Sequence, residues 1–258
     1  MDLDNFDLQI KKIFPPILAP FDYMGYLYKG KGKINKIAIG LGLNLEMVKR
    51  AIKARVQVLL IHNSPENLNI NVYYKKILNQ ARNANLSIYR AHLPLDFAPN
   101  GLISSLCNLL GFIATPTKLK YQNFTINGSV YLFKERVSFD EVISKLNNIK
   151  PSSIRIAGKI SKNLKKVAIT TGDGCKSEFL IQLKPDAFIC GLLNQESERV
   201  ARDLGITIFE ATPYATENEP LKIVYESLKK NFKDVEIEFL DLGDSVKVIC
   251  AKLGDRSL

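Results

Sequence analysis

The feature that most constrains the fold is a repeated alternation of short β-rich runs with amphipathic runs of helical period. Residues 36–41 (KIAIGL) and 57–61 (QVLLI) are apolar enough to be buried strands. Residues 44–55, between them, carry their apolar side chains on one helical face, with Asn44 as the expected cap. Strands joined by crossover helices form a largely parallel sheet, so the sequence predicts an α/β fold.

The pattern changes after Pro116. Residues 70–83 and 100–110 are predicted helices and residues 86–91 a strand, whereas residues 121–133 alternate around Asn127-Gly128, a pair typical of a β-hairpin turn. Ser138 and Glu141 then form a capping box at the start of a helix. We interpret the change as a second domain, residues 119–211, inserted into a first domain formed by residues 1–118 and 212–258.

The rest of the chain continues the alternation of strands and helices. We predict strands at 167–171, 187–190 and 206–210, helices from about 177 and at 194–204, a helix at 220–232, and final strands at 235–240 and 246–250. The expected architecture is therefore two interleaved α/β domains with mixed, largely parallel sheets.

Charge and cysteine content limit the classes of partner. Lys and Arg outnumber Asp and Glu by 36 to 26, and the net charge of +10 is spread along the chain. This balance is typical of a solvated basic surface, and it also fits a protein that attracts nucleic acid or a small anionic ligand. The four cysteines are far apart, without a CxxC pair, which favours buried thiols over disulfides or a thiolate metal site.

Targeting signals are not evident in the sequence. No apolar run approaches the roughly 18 residues that a membrane-spanning helix requires. The acidic residues at the start differ from the basic start of a secretory signal. We therefore expect a cytoplasmic protein that has no membrane partner.

Candidate metal ligands follow the predicted strands. His62 and His92 come directly after two strands, Asp96 lies four residues beyond His92, and Glu217 follows the strand at 206–210. Because side chains converge at the carboxyl ends of parallel strands, one imidazole and two carboxylates there can hold a divalent ion. The alternative is that the histidines and Asp96 simply cap strands and helices.

A glycine turn, Gly172-Asp173-Gly174, lies between a predicted strand and a predicted helix. Backbone N–H groups in such a turn can bind a phosphate or a carboxylate, although a tight connection alone also favours glycine. The chain has no Walker loop, no GxGxxG and no GxSxG elbow. Catalysis by a serine or cysteine nucleophile is thus unsupported, and no catalytic residue is assigned.

Several motifs, in order along nearly the whole chain, resemble the dinuclear-metal-centre family, also called NIF-three-like proteins and often named GTP cyclohydrolase type 2 homologues. Residues 20–27 (PFDYMGYL) resemble the family's WDNVGL segment, and residues 58–62 (VLLIH) its strand ending in two histidines. Residues 90–96 (RAHLPLD) match its HxxxD segment, residues 169–174 (ITTGDG) its glycine turn, and residues 186–191 (DAFICG) its DAxxTG. Residues 212–217 (TPYATE) stand where the family has GHxxTE.

The resemblance implies a site with two metal ions in a crevice between two α/β domains, and assembly into a hexameric ring. Its expected ligands are two paired histidines, the aspartate, and the histidine and glutamate of the last motif. His62, Asp96 and Glu217 are retained, whereas Asn63 and Pro213 replace the other two histidines. Since proline has no side-chain donor and an amide binds transition metals weakly, we expect one ion (Zn, Mn or Fe) rather than two, or none.

By the same resemblance, Asn63 is at most a weak ligand, and His92 supports the ligands from behind or is structural. Two functions follow. One is a metal-dependent hydrolase for a nucleotide-like or phosphorylated small molecule, whose anionic part is held by basic residues and by Gly172 and Gly174. The other is a non-catalytic, ring-shaped homo-oligomeric scaffold whose basic surface binds nucleic acid or a protein partner.

Overall fold

Two β-sheets organise the chain in the computed structural model, which describes residues 1–16 and 22–249. Within these residues the first sheet has five strands, in the spatial order β1 (Gly25–Tyr28), β4 (Ser87–Arg90), β3 (Val58–Asn63), β2 (Lys36–Gly42) and β13 (Glu236–Leu240). Its neighbouring strands are parallel apart from the edge strand β1, which is antiparallel to β4. This sheet has the predicted largely parallel arrangement.

The second sheet is mixed. In the described chain its six strands are, in spatial order, β5 (Thr115–Tyr121), β6 (Phe124–Phe133), β10 (Val167–Ile169), β11 (Ala187–Cys190), β12 (Thr207–Glu210) and β8 (Arg155–Gly158). β10, β11 and β12 run parallel, and the other neighbours are antiparallel. The predicted α/β fold is confirmed, although this sheet is less parallel than expected. A separate short pair joins β7 (Val137–Ser138) to β9 (Asn163–Leu164).

Helices connect the strands. Along the described residues they are α1 (Leu3–Ile13), α2 (Leu45–Lys53), α3 (Val72–Asn83), α4 (Leu93–Phe97), α5 (Leu102–Leu109), α6 (Phe139–Leu146), α7 (Ser177–Leu183), α8 (Gln195–Leu204), α9 (Pro213–Asn231) and a 3₁₀ turn at Asn147–Ile149. Both predicted caps are present. Asn44 accepts a hydrogen bond from the backbone N–H of Met47 at 2.8 Å, and Ser138 and Glu141 form the capping box of α6.

Both faces of each sheet are buried. On β3, Val58 and Leu60 pack into one apolar cluster, while Leu59 and Ile61 pack into another on the opposite face. Alternate residues of β10 and β11 divide in the same way between two further clusters. A strand buried on both faces reads as a continuous apolar run, and on β3 that run ends at His62.

The hairpin between β5 and β6 turns at a different place from the predicted one. The paired strand ends leave Gln122-Asn123 as the turn, and Gln122 adopts φ +50°. Asn127 lies inside β6. Gly128 has φ +83°, and a Cβ there would lie 2.7 Å from the carbonyl oxygen of Phe97. Glycine is therefore required at position 128 by the close approach of the Phe97 backbone to the strand, and not by a turn.

Two helix starts were also predicted wrongly, because proline is tolerated in the first helical turn, where its missing N–H is not needed. The proline two residues before Asp96, Pro94, predicts that no regular helix starts at this point, yet α4 begins at Leu93. We expected the last helix to start at residue 220, yet α9 starts at Pro213, where the Thr212 side chain accepts a hydrogen bond from the N–H of Ala215.

The end of the described chain contains no final strand. Residues 246–249 have no regular structure, so the strand predicted there is wrong for the described part. Their valines have the alternation of a strand, but no described strand pairs with them. Cys250 lies outside the described residues, and Cys107, Cys175 and Cys190 are buried free thiols, as expected.

The predicted division into residues 1–118 with 212–258 and residues 119–211 stays a prediction. Strands of the first sheet come from residues 25–90 and 236–240, and strands of the second sheet from residues 115–210. In the part of the chain that the structure describes, no helix is both long and apolar enough to cross a membrane.

Candidate metal centre

The three predicted ligands are all buried. His62 lies near the end of β3, Asp96 in α4 and Glu217 in α9, and they are 2%, 5% and 8% exposed. His62 Nε2 is 3.6 Å from Asp96 Oδ1, and the charge of Asp96 acts on Glu217. The structure thus brings His62 and Asp96 together from distant parts of the sequence, whereas Glu217 does not belong to the group of described residues whose ligand atoms lie within 4.8 Å of one another. Their role as ligands stays a proposal.

His62 presents an unpaired lone pair. Its Nδ1 is 3.2 Å from the carbonyl oxygen of Ala91 and donates to it, which leaves Nε2 as the acceptor nitrogen. Nε2 is buried without a hydrogen-bond partner among the described residues. Burial lowers the pKa of His62 well below its ordinary value, so the ring is neutral, as metal ligation requires.

Asp96 is held by the second sheet. Its Oδ1 accepts a hydrogen bond from Thr171 Oγ1 at 2.9 Å, and Thr171 follows β10. Burial raises the pKa of Asp96 to about 7, although His92 and the hydroxyl of Thr171 lower it. Without a cation the Asp96 carboxyl is therefore protonated in a large fraction of molecules at neutral pH.

Glu217 accepts a hydrogen bond from Asn63, the residue that stands in place of the second histidine of the family motif. The amide Nδ2 of Asn63 donates to Glu217 Oε2 at 2.7 Å. Burial and the nearby charge of Asp96 raise the pKa of Glu217 to about 8, against the effect of the Asn63 hydrogen bond. Asn63 thus directs its N–H toward the carboxylate, so its amide supplies a hydrogen bond there and not a metal ligand.

His92 lies closer to the site than its predicted supporting role requires. One ligand atom from each of His62, His92 and Asp96 lies within 4.8 Å of the others. The two imidazole rings are 5.0 Å apart. The predicted supporting role of His92 stays a prediction, and the geometry adds that its ring can also reach a shared ion.

A buried ion pair orients His92. Its Nδ1 is 3.0 Å from Asp22 Oδ1 and 3.0 Å from Nη2 of Arg90, and Arg90 also pairs with Asp22 at 2.8 Å. Arg90 donates further to the carbonyl oxygens of Ser64 and Tyr23. When Nδ1–H donates to Asp22, Nε2 carries the lone pair, which is the arrangement common to metal-bound histidines.

The glycine turn packs directly against Glu217. A Cβ at Gly172, where φ is +48°, would lie 2.0 Å from Glu217 Oε1. The N–H of Gly172 donates to Thr216, and the N–H of Gly174 donates to the carbonyl oxygen of Thr171. Both N–H groups therefore already donate to acceptors within the protein and are not free to bind an anion. The predicted anion binding by Gly172 and Gly174 stays a prediction.

Gly172→Ala is expected to lower the free energy of unfolding by roughly 2–3 kcal/mol, since a left-handed φ costs an alanine about 1–2 kcal/mol and the new Cβ pushes Glu217 away from Asn63. Gly205→Ala is the matched control. Its φ is +69°, and its nearest contact would be 3.7 Å. Urea denaturation compares the two variants, and an equal loss in both would show that the approach of Glu217 contributes nothing.

Two cavities border Glu217. The first, which we call the hairpin cavity, has a volume of about 310 Å³ and is lined by Tyr121, Gln122 and Ile126 of the hairpin and by His92, Asp96 and Glu217. The second, which we call the terminal cavity, has a volume of about 800 Å³ and is lined by Asn63, Pro213, Glu217 and residues 240–249. Pro213 offers no donor there, whereas His92 and Asp96 line the hairpin cavity.

The family follows from comparison with known proteins. The Duf34/NIF3 (NGG1p interacting factor 3) family matches residues 1–245. The chain belongs to this family. A NIF3 relative from Methanocaldococcus jannaschii, named GTP cyclohydrolase 1 type 2 homolog, is 32% identical over 216 residues, which cover 81% of this chain and 85% of the relative. A relative of the same name from Pyrococcus horikoshii is 27% identical over 222 residues, 84% of this chain and 88% of its own.

Solved structures share the NIF3 fold. Reduced HcgD from Methanocaldococcus jannaschii has a TM-score of 0.77 and 26% identity, and the match covers 94% of this chain and 98% of that chain. TTHA1606 from Thermus thermophilus has a TM-score of 0.76 over 95% of this chain and 100% of its own, and at 21% identity it shows the fold alone. The resemblance stated from the motifs is confirmed.

Proposed function

We propose that this NIF3 protein is a metal-dependent hydrolase of a nucleotide-like or phosphorylated small molecule, with one divalent ion held by His62, Asp96 and Glu217. The observation that carries the proposal is the lone pair of His62 Nε2, which is buried 3.6 Å from a carboxylate oxygen and has no hydrogen-bond partner in the described part of the chain. An unpaired buried polar atom costs about 1–3 kcal/mol, and a cation shared by the two acceptors removes that cost.

The donor set fits a transition metal. It combines imidazole nitrogen with carboxylate oxygen, which suits Zn, Mn or Fe better than a cage of oxygens alone. Two ligand bonds of about 2.0–2.2 Å can span the 3.6 Å between His62 Nε2 and Asp96 Oδ1. His92 is a further nitrogen donor within reach of the same ion, whereas the Glu217 carboxylate has to move toward the ion to become its third ligand.

The residues around the site keep these donors in place. Thr171 fixes one oxygen of Asp96, Asn63 fixes one oxygen of Glu217, and Asp22 accepts from His92. When bound, a divalent ion would lower the pKa of a water molecule and polarise a substrate oxygen. The hairpin cavity, which adjoins these groups, gives a small substrate access to them.

The number of metal ions bound per chain tests whether the loss of two histidines, at Asn63 and Pro213, leaves a site for one ion instead of two. We expect elemental analysis of protein purified without chelators to find one ion per chain. The double substitution Asn63→His and Pro213→His should raise this to two, because it returns two imidazole donors to the side of Glu217 that faces the terminal cavity. Asn63→Ala with Pro213→Ala is the control and should not exceed one. Two ions in the unaltered chain would contradict the proposal.

Assembly and location are separate predictions. A hexameric ring is what the resemblance implies, and a basic surface that binds nucleic acid or a protein partner is what the net charge of +10 suggests. These, together with the cytoplasmic location, stay predictions. The buried lone pair of His62, which no described residue pairs with, favours the hydrolase over the non-catalytic scaffold.

A further inference from the structure

One part of the lining of the hairpin cavity is aromatic. Phe97 and Tyr121 line it and are both partly exposed. Phe179, which is nearly buried, supports Tyr121 with its ring centroid 5.6 Å away. Exposed ring faces in a small cavity offer flat apolar surfaces on which another ring can stack. This part of the lining therefore favours a planar ligand.

Neutral polar groups also line the hairpin cavity. Ser129 lines it and is 3% exposed, and its hydroxyl has no hydrogen-bond partner among the described residues. Gln122 lines it from the turn of the β5–β6 hairpin. A heteroaromatic ring carries donors and acceptors on its edge, so it can pair with such groups while its faces stack.

The charges in the cavity disfavour a phosphate. Three carboxyl groups line it, those of Asp96, Asp173 and Glu217. Among the described lining residues Lys176 is the one lysine or arginine, and its ammonium group is 3.1 Å from the carboxylate of Asp173. A divalent ion at the proposed site is balanced by Asp96 and Glu217. No unpaired positive charge in the lining is then left to hold a phosphate.

We propose that the hairpin cavity binds the uncharged heteroaromatic ring of a nucleoside-sized ligand, with the ring against Phe97 and Tyr121 and any phosphate outside the cavity. The inference rests on the proposed function, because it identifies the part of the substrate that lies beside the metal centre. The cavity volume of about 310 Å³ is at the lower end of the range for ligand pockets, which fits one nucleoside and not a stretch of nucleic acid.

Calorimetric titration of the metal-loaded full chain with adenosine, guanosine and their 5′-triphosphates tests the inference. We expect at least one nucleoside to bind, and its triphosphate to bind with a Kd within about threefold, because charges exposed to solvent contribute little. Tyr121→Ala should weaken nucleoside binding by about 5- to 150-fold, the usual loss for one stacking ring, whereas Tyr121→Phe should retain it. Tyr73→Ala, on the exposed start of α3, is the control and should bind as the unaltered chain does.

Ser129→Ala gives a second variant in case Tyr121→Ala does not fold, and it should weaken binding by about 2- to 10-fold, the range for one hydrogen bond. A triphosphate that binds more than about tenfold tighter than its nucleoside, unchanged binding in Tyr121→Ala, or no nucleoside binding at all would each overturn the inference. Elemental analysis of the same samples separates the two proposals. A chain that holds metal but no nucleoside contradicts this inference alone, and one that binds nucleosides but no metal contradicts the proposed function alone.

Discussion

Asp96→Asn is expected to lower the affinity for Zn²⁺, Mn²⁺ or Fe²⁺ by at least about 100-fold, because partners that merely orient metal ligands already contribute 10- to 100-fold. Asparagine has almost the size of aspartate and can still accept the hydrogen bond from Thr171. What it lacks is the negative charge 3.6 Å from His62 Nε2. Competition with a chromophoric chelator measures the affinity, and elemental analysis measures the ion retained on purification.

The matched control for this substitution is Asp203→Asn, which removes the same charge from an exposed position of α8 and should leave metal affinity unchanged. His62→Ala should cause a loss comparable to that of Asp96→Asn. The metal-free Asp96→Asn variant should be at least as stable as the metal-free unaltered chain near pH 8, because it removes a buried charge. Full metal content in either site variant would place the ion elsewhere in the chain.

The fold could be predicted where local and tertiary signals agree. β2, α2 and β3 were recognised because continuous apolar runs flank one amphipathic run with a capping residue. The hairpin turn was misplaced because Asn127-Gly128 has the composition of a turn, whereas its glycine is required by the approach of Phe97. That approach is a tertiary contact, and Gln122 supplies the left-handed turn without being glycine.

The site could be predicted in part, for a related reason. His62 lies near the end of β3 and Asp96 follows β4, two neighbouring parallel strands of the first sheet, so position alone indicated their proximity. Glu217 follows β12 of the second sheet, so the meeting of strand ends in one sheet does not account for its approach. Their partners carry no such signal. Asp22 and His92 are 70 residues apart in the sequence, and Thr171 and Asp96 are 75 apart. Asp22 lies in the motif at 20–27, but the motif does not indicate that Asp22 contacts His92. Pro20 and Phe21 of that motif lie outside the described residues.

The metal-free chain is expected to lose stability as the pH rises from about 4 to about 8. Burial raises the pKa of Asp96 from 3.8 to about 7 and that of Glu217 from 4.5 to about 8. In this interval the folded chain binds more protons than the unfolded chain, so the free energy of unfolding falls with increasing pH. For Asp96 alone the loss is roughly 4 kcal/mol, since each pH unit between the two pKa values is worth about 1.4 kcal/mol.

Urea denaturation of the chelator-treated chain at about pH 5, 7 and 8.5 measures this loss. The control is the double variant Asp96→Asn and Glu217→Gln, whose stability should not fall over the same interval because neither buried group can ionise. The lowered pKa of His62 instead favours folding as the pH rises to about 6.5, in both chains alike. If the unaltered chain and the double variant show parallel pH profiles, the two carboxyl groups are not the cause.

Metal should reverse the trend. Ligands bind a metal ion in their deprotonated form, so affinity rises with pH, and the stabilisation by a given concentration of ion rises with affinity. The difference in stability between metal-loaded and metal-free chains is therefore expected to be small near pH 5 and largest near pH 8. A scaffold that binds no ion would bear the cost of ionising two buried acids as the pH rises toward 8, whereas a metalloprotein converts the same two acids into ligands. Added metal should therefore stabilise the metalloprotein increasingly as the pH rises, and it should leave the stability of such a scaffold unchanged at every pH.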